Sequence, residues 1–299
     1  MIKDTFADKV EANKVEADNQ RFLQILSDYL NFEPRLITSK DVESVTETGV
    51  SKQTAFAFLL ALNFGVDPYG AEREFFNRYF VPSIKELDIN DYYNDAYNKY
   101  IKFSTKTVNN WQLTTKSYAP FEAFVRDDFI YEKDGRVIPL IGFFDGEYNY
   151  PAVLQDGREW MTLLPNEINS QKRYVKEAFG KVVTYGLGLG YYALHVALKD
   201  DVERVDVVDI SDDVINLFKQ NVLPQFPEKA RKKINVIKKD AFLFAQGLKD
   251  GDYDYIYVDI WHDCQDGAEL YPRFKELERF CKTAKYSYWI EDSIKYYLK

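Results

Sequence analysis

Cysteine, histidine and long apolar runs are all scarce in this chain. Its only cysteines, Cys264 and Cys281, cannot build a disulfide framework, which points to a reducing compartment. Residues 55–64, apolar except for Asn63, make a stretch of just ten positions before Gly65 and Asp67, too short to span a bilayer. The first eighteen residues alternate charges with isolated apolar residues and lack the basic start and apolar core of a signal peptide, so a cytoplasmic location without a membrane partner is expected. Positive charge is the smaller share: 39 Lys and Arg stand against 48 Asp and Glu, a net charge of -9. Such a balance opposes broad contact with a phosphate backbone, so no nucleic-acid partner is expected and a small molecule or a protein is the easier substrate. What the chain has is bulk: 299 residues, 46% hydrophobic, enough for a large core and more than one module.

Across residues 1–125, apolar side chains recur at helical spacing: Phe22, Leu23, Leu26, Tyr29 and Leu30, then Phe56, Leu59, Leu60 and Leu62, then Phe75, Phe76, Tyr79 and Phe80. This predicts an N-terminal helical domain, punctuated by Pro34, Gly49, the Asp67-Pro68-Tyr69-Gly70 turn and Pro82. Inside it, Gly49 and Ser51 give the outline of a helix-turn-helix, but the second helix continues Ala55-Phe56-Ala57-Phe58-Leu59-Leu60, too apolar for a groove and suited to burial. The run Asp91-Tyr92-Tyr93-Asn94-Asp95-Ala96-Tyr97-Asn98-Lys99-Tyr100 is expected to serve packing. Over residues 126–163 the period changes. Asp134-Gly135, Asp145-Gly146 and Asp156-Gly157 fall eleven residues apart, and Asp-Gly favours tight hairpin turns, so a four-stranded β-meander is predicted. Pro165-Asn166-Glu167 then opens a helix that stops at Gly180, after which strand and helix alternate to the end. Residues 164–299 therefore predict an α/β fold with a doubly wound, mostly parallel Rossmann-like sheet.

The richest stretch is Val182-Val183-Thr184-Tyr185-Gly186-Leu187-Gly188-Leu189-Gly190, a buried-strand pattern running into three alternate glycines and then a helix from about Tyr191. Glycines let a backbone turn tightly and approach a ligand, and the helix start offers free N–H groups. Nineteen residues after Gly190, the strand Val205-Asp206-Val207-Val208-Asp209 ends in an acid, where a doubly wound fold holds a ribose diol. A dinucleotide fingerprint needs a small residue where bulky Tyr191 stands, which disfavours NAD.

These residues resemble the class I S-adenosylmethionine (SAM) dependent methyltransferases over residues 166–299. Asp240-Ala241 matches that family's acid-plus-small pair beside the adenine, and Asp259 closes the strand Tyr253-Asp254-Tyr255-Ile256-Tyr257-Val258. The resemblance implies SAM as cofactor, held by Thr184, Tyr185, Gly186, Gly188, Gly190, Asp209, Ile210, Asp240, Ala241 and Asp259. It implies methyl transfer to a small-molecule or protein acceptor, or, as an alternative, a non-catalytic SAM-binding module. Asp259, Trp261 and His262 lie at the carboxyl end of a strand, where ligands of open α/β sheets bind, so Asp259 and His262 are expected in catalysis and Trp261 against the substrate. His195, inside the helix after the glycines, is expected to be structural. Thr184 departs from the family's usual acid; a hydrogen bond to a charged group is worth about 1.5 to 3 kcal/mol, so its loss weakens binding by roughly tenfold to a hundredfold. A meander before a nucleotide-binding half is also similar to the spermidine synthase branch, which transfers an aminopropyl group from decarboxylated SAM. However, Asp259-Ile260-Trp261-His262-Asp263 lacks the proline that usually follows that branch's catalytic aspartate.

The segment Asp259-Ile260-Trp261-His262-Asp263 with Glu291-Asp292 is also similar to the metal-binding acids of catechol-type O-methyltransferases, but Asp292 replaces an amide and no metal is expected. Seven residues follow Asp292, so the sheet is expected to be shortened, without the family's C-terminal strand 6/7 hairpin. Its fifth strand, Tyr286-Ser287-Tyr288-Trp289-Ile290, would then need cover from the meander, the helical domain or a second subunit of a homodimer.

Overall fold

The computed structural model describes residues 6–298; residues 1–5 and 299, at the extremes of the first and last expected domains, lie outside it. In chain order the strands are β1 (Ile84–Glu86), β2 (Lys106–Val108), β3 (Trp111–Tyr118), β4 (Phe124–Tyr131), β5 (Val137–Phe143), β6 (Tyr148–Gln155), β7 (Arg158–Thr162), β8 (Gly180–Tyr185), β9 (Val202–Asp209), β10 (Ile234–Lys238), β11 (Tyr255–Val258) and β12 (Lys285–Tyr288). Contacts divide the chain into two units, Met1–Ile89 with Ser117–Asn149 and Asn90–Lys116 with Tyr150–Lys299.

In the first unit, the predicted helical stripes converge: Phe22, Tyr29, Phe56, Leu60, Tyr79 and Phe80 form one buried cluster. Ser51 caps helix Lys52–Asn63, accepting the Thr54 N–H at 3.1 Å, and that helix buries Ala55, Phe56, Ala57, Leu60 and Ala61. A three-stranded sheet in the order β1-β5-β4 completes the unit, with the Phe56 ring stacked 4.4 Å from Phe143. Buried Asn19 holds the β4–β5 hairpin, donating to the Gly135 carbonyl at 3.1 Å and accepting the Val137 N–H at 3.0 Å.

The three Asp-Gly pairs do not behave alike. Asp156 and Gly157, at φ 52° and 78°, make the tight turn between β6 and β7, and Gly135, at φ 90°, turns β4 into β5. Asp145-Gly146 closes no hairpin, because β5 ends in the three-stranded sheet while β6 belongs to an antiparallel-paired sheet in the order β2-β3-β6-β7. Gly146 is not at positive φ; a Cβ there would lie 3.3 Å from Ile89 Cδ1, so the residue answers a need for room. The single four-stranded meander therefore gives way to two hairpins in separate sheets, and the region read as purely helical also holds β1, β2 and β3.

The second unit carries a five-stranded sheet in the order β10-β9-β8-β11-β12, every neighbouring pair parallel. This is the doubly wound Rossmann-like sheet, and its near-continuous apolar strands follow from burial on both faces. On one face, Tyr174 of helix Pro165–Glu177 and Tyr192 of helix Tyr191–Leu198 pack on Tyr257 at 5.2 and 4.1 Å. On the other, Tyr185 meets Phe274 of helix Cys264–Lys275 at 4.9 Å. β12 forms one edge, and among the described residues no strand pairs with its outer side, so the meander does not cover it. It is four residues long and starts at exposed Lys285, two features that blunt an edge against further pairing.

Candidate functional site

The strand order reverses direction at β8: the chain steps outward to β9 and β10, then returns to β11 on its other side. Ligands of open α/β sheets bind at that point, beyond the carboxyl ends of the strands. A cavity of about 580 Å³ opens there, lined by the ends of β8 to β11 and by β7 and helix Pro165–Glu177.

The glycine loop sits at φ 94°, 53° and 80° for Gly186, Gly188 and Gly190, conformations that disfavour any side chain. The three have different neighbours. A Cβ on Gly186 would strike the Asp259 carbonyl, one on Gly190 would strike the Phe218 ring, and one on Gly188 would point into open space. Gly186 and Gly188 line the cavity, whereas Gly190 caps helix Tyr191–Leu198 and lies outside its wall. Gly190 thus has a packing role against Phe218 at the start of that helix.

Asp209, at the end of β9, accepts the Leu187 N–H of the loop at 3.0 Å and the Ser211 N–H at 2.8 Å. Burial raises its carboxyl above the usual range, an effect the N–H bonds oppose. Each oxygen has a further lone pair for a ligand hydroxyl. Exposed Ile210 follows it along the wall. Asp240 caps helix Ala241–Ala245 by accepting the Leu243 N–H at 2.9 Å, and Asp240 and Ala241 both line the cavity. Thr184 lines it too, from beneath the loop. Tyr185 does not: strand alternation turns its ring to the opposite face, against Phe274 and Phe244.

At the other end, Asp259 lies within 3.5 Å of Gln171 Nε2 and shares the wall with Glu167. Both residues are half-buried and line the cavity. Burial pushes each upward, and the charge of Glu167 raises Asp259 further. Two such groups cannot both ionise freely, so they titrate as a pair. Around them Gln171 Oε1, Tyr192 Oη and Trp261 Nε1 are buried without a hydrogen-bond partner, and all three residues line the cavity. Trp289 Nε1 donates to Ser170 Oγ at 2.8 Å. His262 sits at the mouth, its exposed ring 3.2 Å from the Asp266 carboxylate and 5.1 Å edge-to-face from Trp160.

Glu167, Gln171, Trp160 and Trp289 were not among the residues the sequence singled out. Glu167 stood in plain view as a helix-start acid, and only its place against Asp259 gives it a second meaning. The acids considered for a metal do not gather: Glu291 accepts from Tyr271 Oη at 2.6 Å and pairs with Lys295, and Asp292 lies 3.9 Å from Arg173. Among the described residues no group of three His, Cys, Asp or Glu could hold a metal ion. His195 pairs with Asp95 at 2.9 Å, outside the cavity wall.

Residues 174–285 match the spermine/spermidine synthase domain. That span holds the glycine loop, Asp209, Asp240 and Asp259, and leaves out Glu167, Gln171 and Trp289. No curated protein matches the chain. Among solved structures it is similar to a probable spermidine synthase from Corynebacterium glutamicum ATCC 13032, at 12% identity over 53% of this chain and 52% of that one, TM-score 0.32. A precorrin 8w decarboxylase from Methanobacterium thermoautotrophicum is 17% identical over 42% of this chain and 63% of its own, TM-score 0.31. A putative O-methyltransferase from Klebsiella pneumoniae is 15% identical over 36% of this chain and 46% of its own, TM-score 0.26. The chain thus spans between 46% and 63% of the length of these structures. The strand order and the matched domain give the second unit the Rossmann-like fold of the class I SAM-dependent enzymes.

Proposed function

We propose that this chain is a transferase that uses an adenosyl sulfonium cofactor of the SAM type, with an amine as acceptor. The observation that carries the cofactor half is the direct hydrogen bond from the Leu187 N–H to Asp209 on the wall of one cavity. It brings the glycine loop and the acid one strand away to a single site. The residues fit such a group: Asp209 offers acceptors to a ribose diol, Ile210 and Ala241 offer apolar flanks, and the open space over Gly188 leaves room for close approach.

The acceptor half rests on Asp259 and Glu167. A raised carboxyl pair in a recess attracts an ammonium and can take its proton, and unpartnered Gln171 Oε1 and Tyr192 Oη add neutral acceptors for N–H groups. When bound, the cofactor supplies a carbon attached to a positive sulfur: the amine nitrogen forms a bond to that carbon, the carbon–sulfur bond breaks, and sulfur keeps the electron pair as a thioether. Asp259 is best placed to receive the nitrogen's proton, ahead of His262, whose exposed ring is engaged by Asp266.

Methyl transfer from SAM is the first reading, following the G-x-G-x-G spacing. The domain match over residues 174–285 favours a second, aminopropyl transfer from decarboxylated SAM. Incubation of the protein with a diamine and each cofactor, followed by mass spectrometry, separates them: methylthioadenosine with an aminopropylated amine supports the second, and demethylated SAM with a methylated amine the first. Neither product from any amine offered would defeat the transferase reading.

A further inference from the structure

The Tyr-rich run that sequence alone assigns to packing reaches the cofactor loop. Within the second unit, Tyr97, fully buried, donates its hydroxyl to the Leu189 carbonyl at 2.7 Å. Leu189 lies between Gly188 and Gly190, and the N–H of the same peptide, on Gly190, donates to the Leu187 carbonyl at 2.9 Å. A trans peptide points its C=O and N–H in opposite directions, so these two bonds grip one plane from both sides. Asp95, two residues earlier, caps helix Ala96–Tyr100 and also takes the Tyr191 hydroxyl at 3.2 Å and His195 Nε2 at 2.9 Å, on the helix that leaves the loop. Further anchors lie on either side: Tyr92 Oη accepts from Asn169 at 2.8 Å, and Lys102 donates its backbone N–H to Gln225 Oε1 at 2.9 Å.

We infer that residues 90–106 form a strap that presets the glycine loop for its ligand, with Tyr97 as the positioning residue. Three left-handed glycines at alternate positions bring little stiffness of their own, because glycine crosses between φ signs at little cost. The strap supplies it. The Tyr97 hydroxyl fixes the Leu189–Gly190 peptide, and Asp95 fixes the first turn beyond it. This rests on the adenosyl-cofactor reading, since the purpose of the grip is affinity for that cofactor.

The test compares the wild-type chain, Tyr97→Phe and, as a control, Tyr253→Phe, which removes a hydroxyl bonded 2.6 Å from Asp206 and away from the cavity wall. Two readouts are needed: amide hydrogen exchange over residues 186–191 without ligand, and calorimetric Kd for SAM and decarboxylated SAM. Tyr97→Phe should speed exchange in the loop and raise Kd about tenfold, the size expected for one lost buried hydrogen bond. Tyr253→Phe should lower the unfolding midpoint but change neither readout. Unchanged loop exchange, or an unchanged Kd in a wild type that binds, overturns the strap. A wild type that binds neither cofactor instead removes the functional reading, and the exchange data alone then decide whether Tyr97 holds the loop. If Tyr97→Phe does not fold, Asp95→Asn, which keeps the helix cap, should show the same pair of changes at smaller size; no change in either overturns the proposal.

Discussion

Asp259 and Glu167 line the same cavity, each with its carboxyl raised by burial. Burial holds Asp259 and Glu167 on their protons to higher pH than in an unfolded chain. The folded state therefore binds more protons than the unfolded one once pH passes the ordinary carboxylate range, and stability falls as pH rises from there through the folded values. Each such proton contributes a slope of at most about 1.4 kcal/mol per pH unit. Glu167→Gln keeps the shape, removes one of the groups and relieves the other. Urea unfolding at pH 5.5 and 8 should show a marked loss of stability in the wild type and a flatter response in the variant; equal slopes would mean the pair is not coupled. Asp259 was legible in the sequence because a strand pattern ends on it. Glu167 was not, since its partner is 92 positions away and only the sheet brings them together.

The glycine loop shows how much an element's spacing reveals and what it hides. Alternate glycines after an apolar strand located the turn correctly, yet they could not show that Gly190 is there for Phe218 while Gly188 faces open space. The two should separate by mutation. Gly190→Ala drives a methyl into a buried ring as well as straining φ, so it should cost more than the ~1–2 kcal/mol of a left-handed alanine and lower the unfolding midpoint sharply. Gly188→Ala should cost about that strain alone, and its methyl should weaken cofactor binding. Denaturation and calorimetry on both variants check the contrast, and equal stabilities would contradict it. Elsewhere the hairpin β2–β3 was missed although Asn109-Asn110 joins its strands, with Asn109 at φ 55°. Asn tolerates that region, and the alternating Trp111, Leu113 pattern beyond it was a readable strand signal hidden by the helical residues before it.

At the level of the whole molecule, the parallel sheet covered on both faces followed from strand–helix alternation, whereas its strand order is seen only in the structure. The interleaving did not follow from it either. Residues 90–116 group with residues 150–299, and residues 117–149 group with the N-terminal helices, a grouping that does not follow the order of the chain. Thus the strap on the glycine loop was read as packing, although its tyrosines were noticed.

Titration calorimetry of SAM and decarboxylated SAM into the wild-type chain and Asp209→Ala is the most direct trial of the adenosyl site. The wild type should bind at least one of the two, and the variant should bind it roughly tenfold to a hundredfold more weakly, as expected for a lost hydrogen bond to a charged group. Binding of neither cofactor by the wild type, or the same affinity with alanine at position 209, would contradict the account.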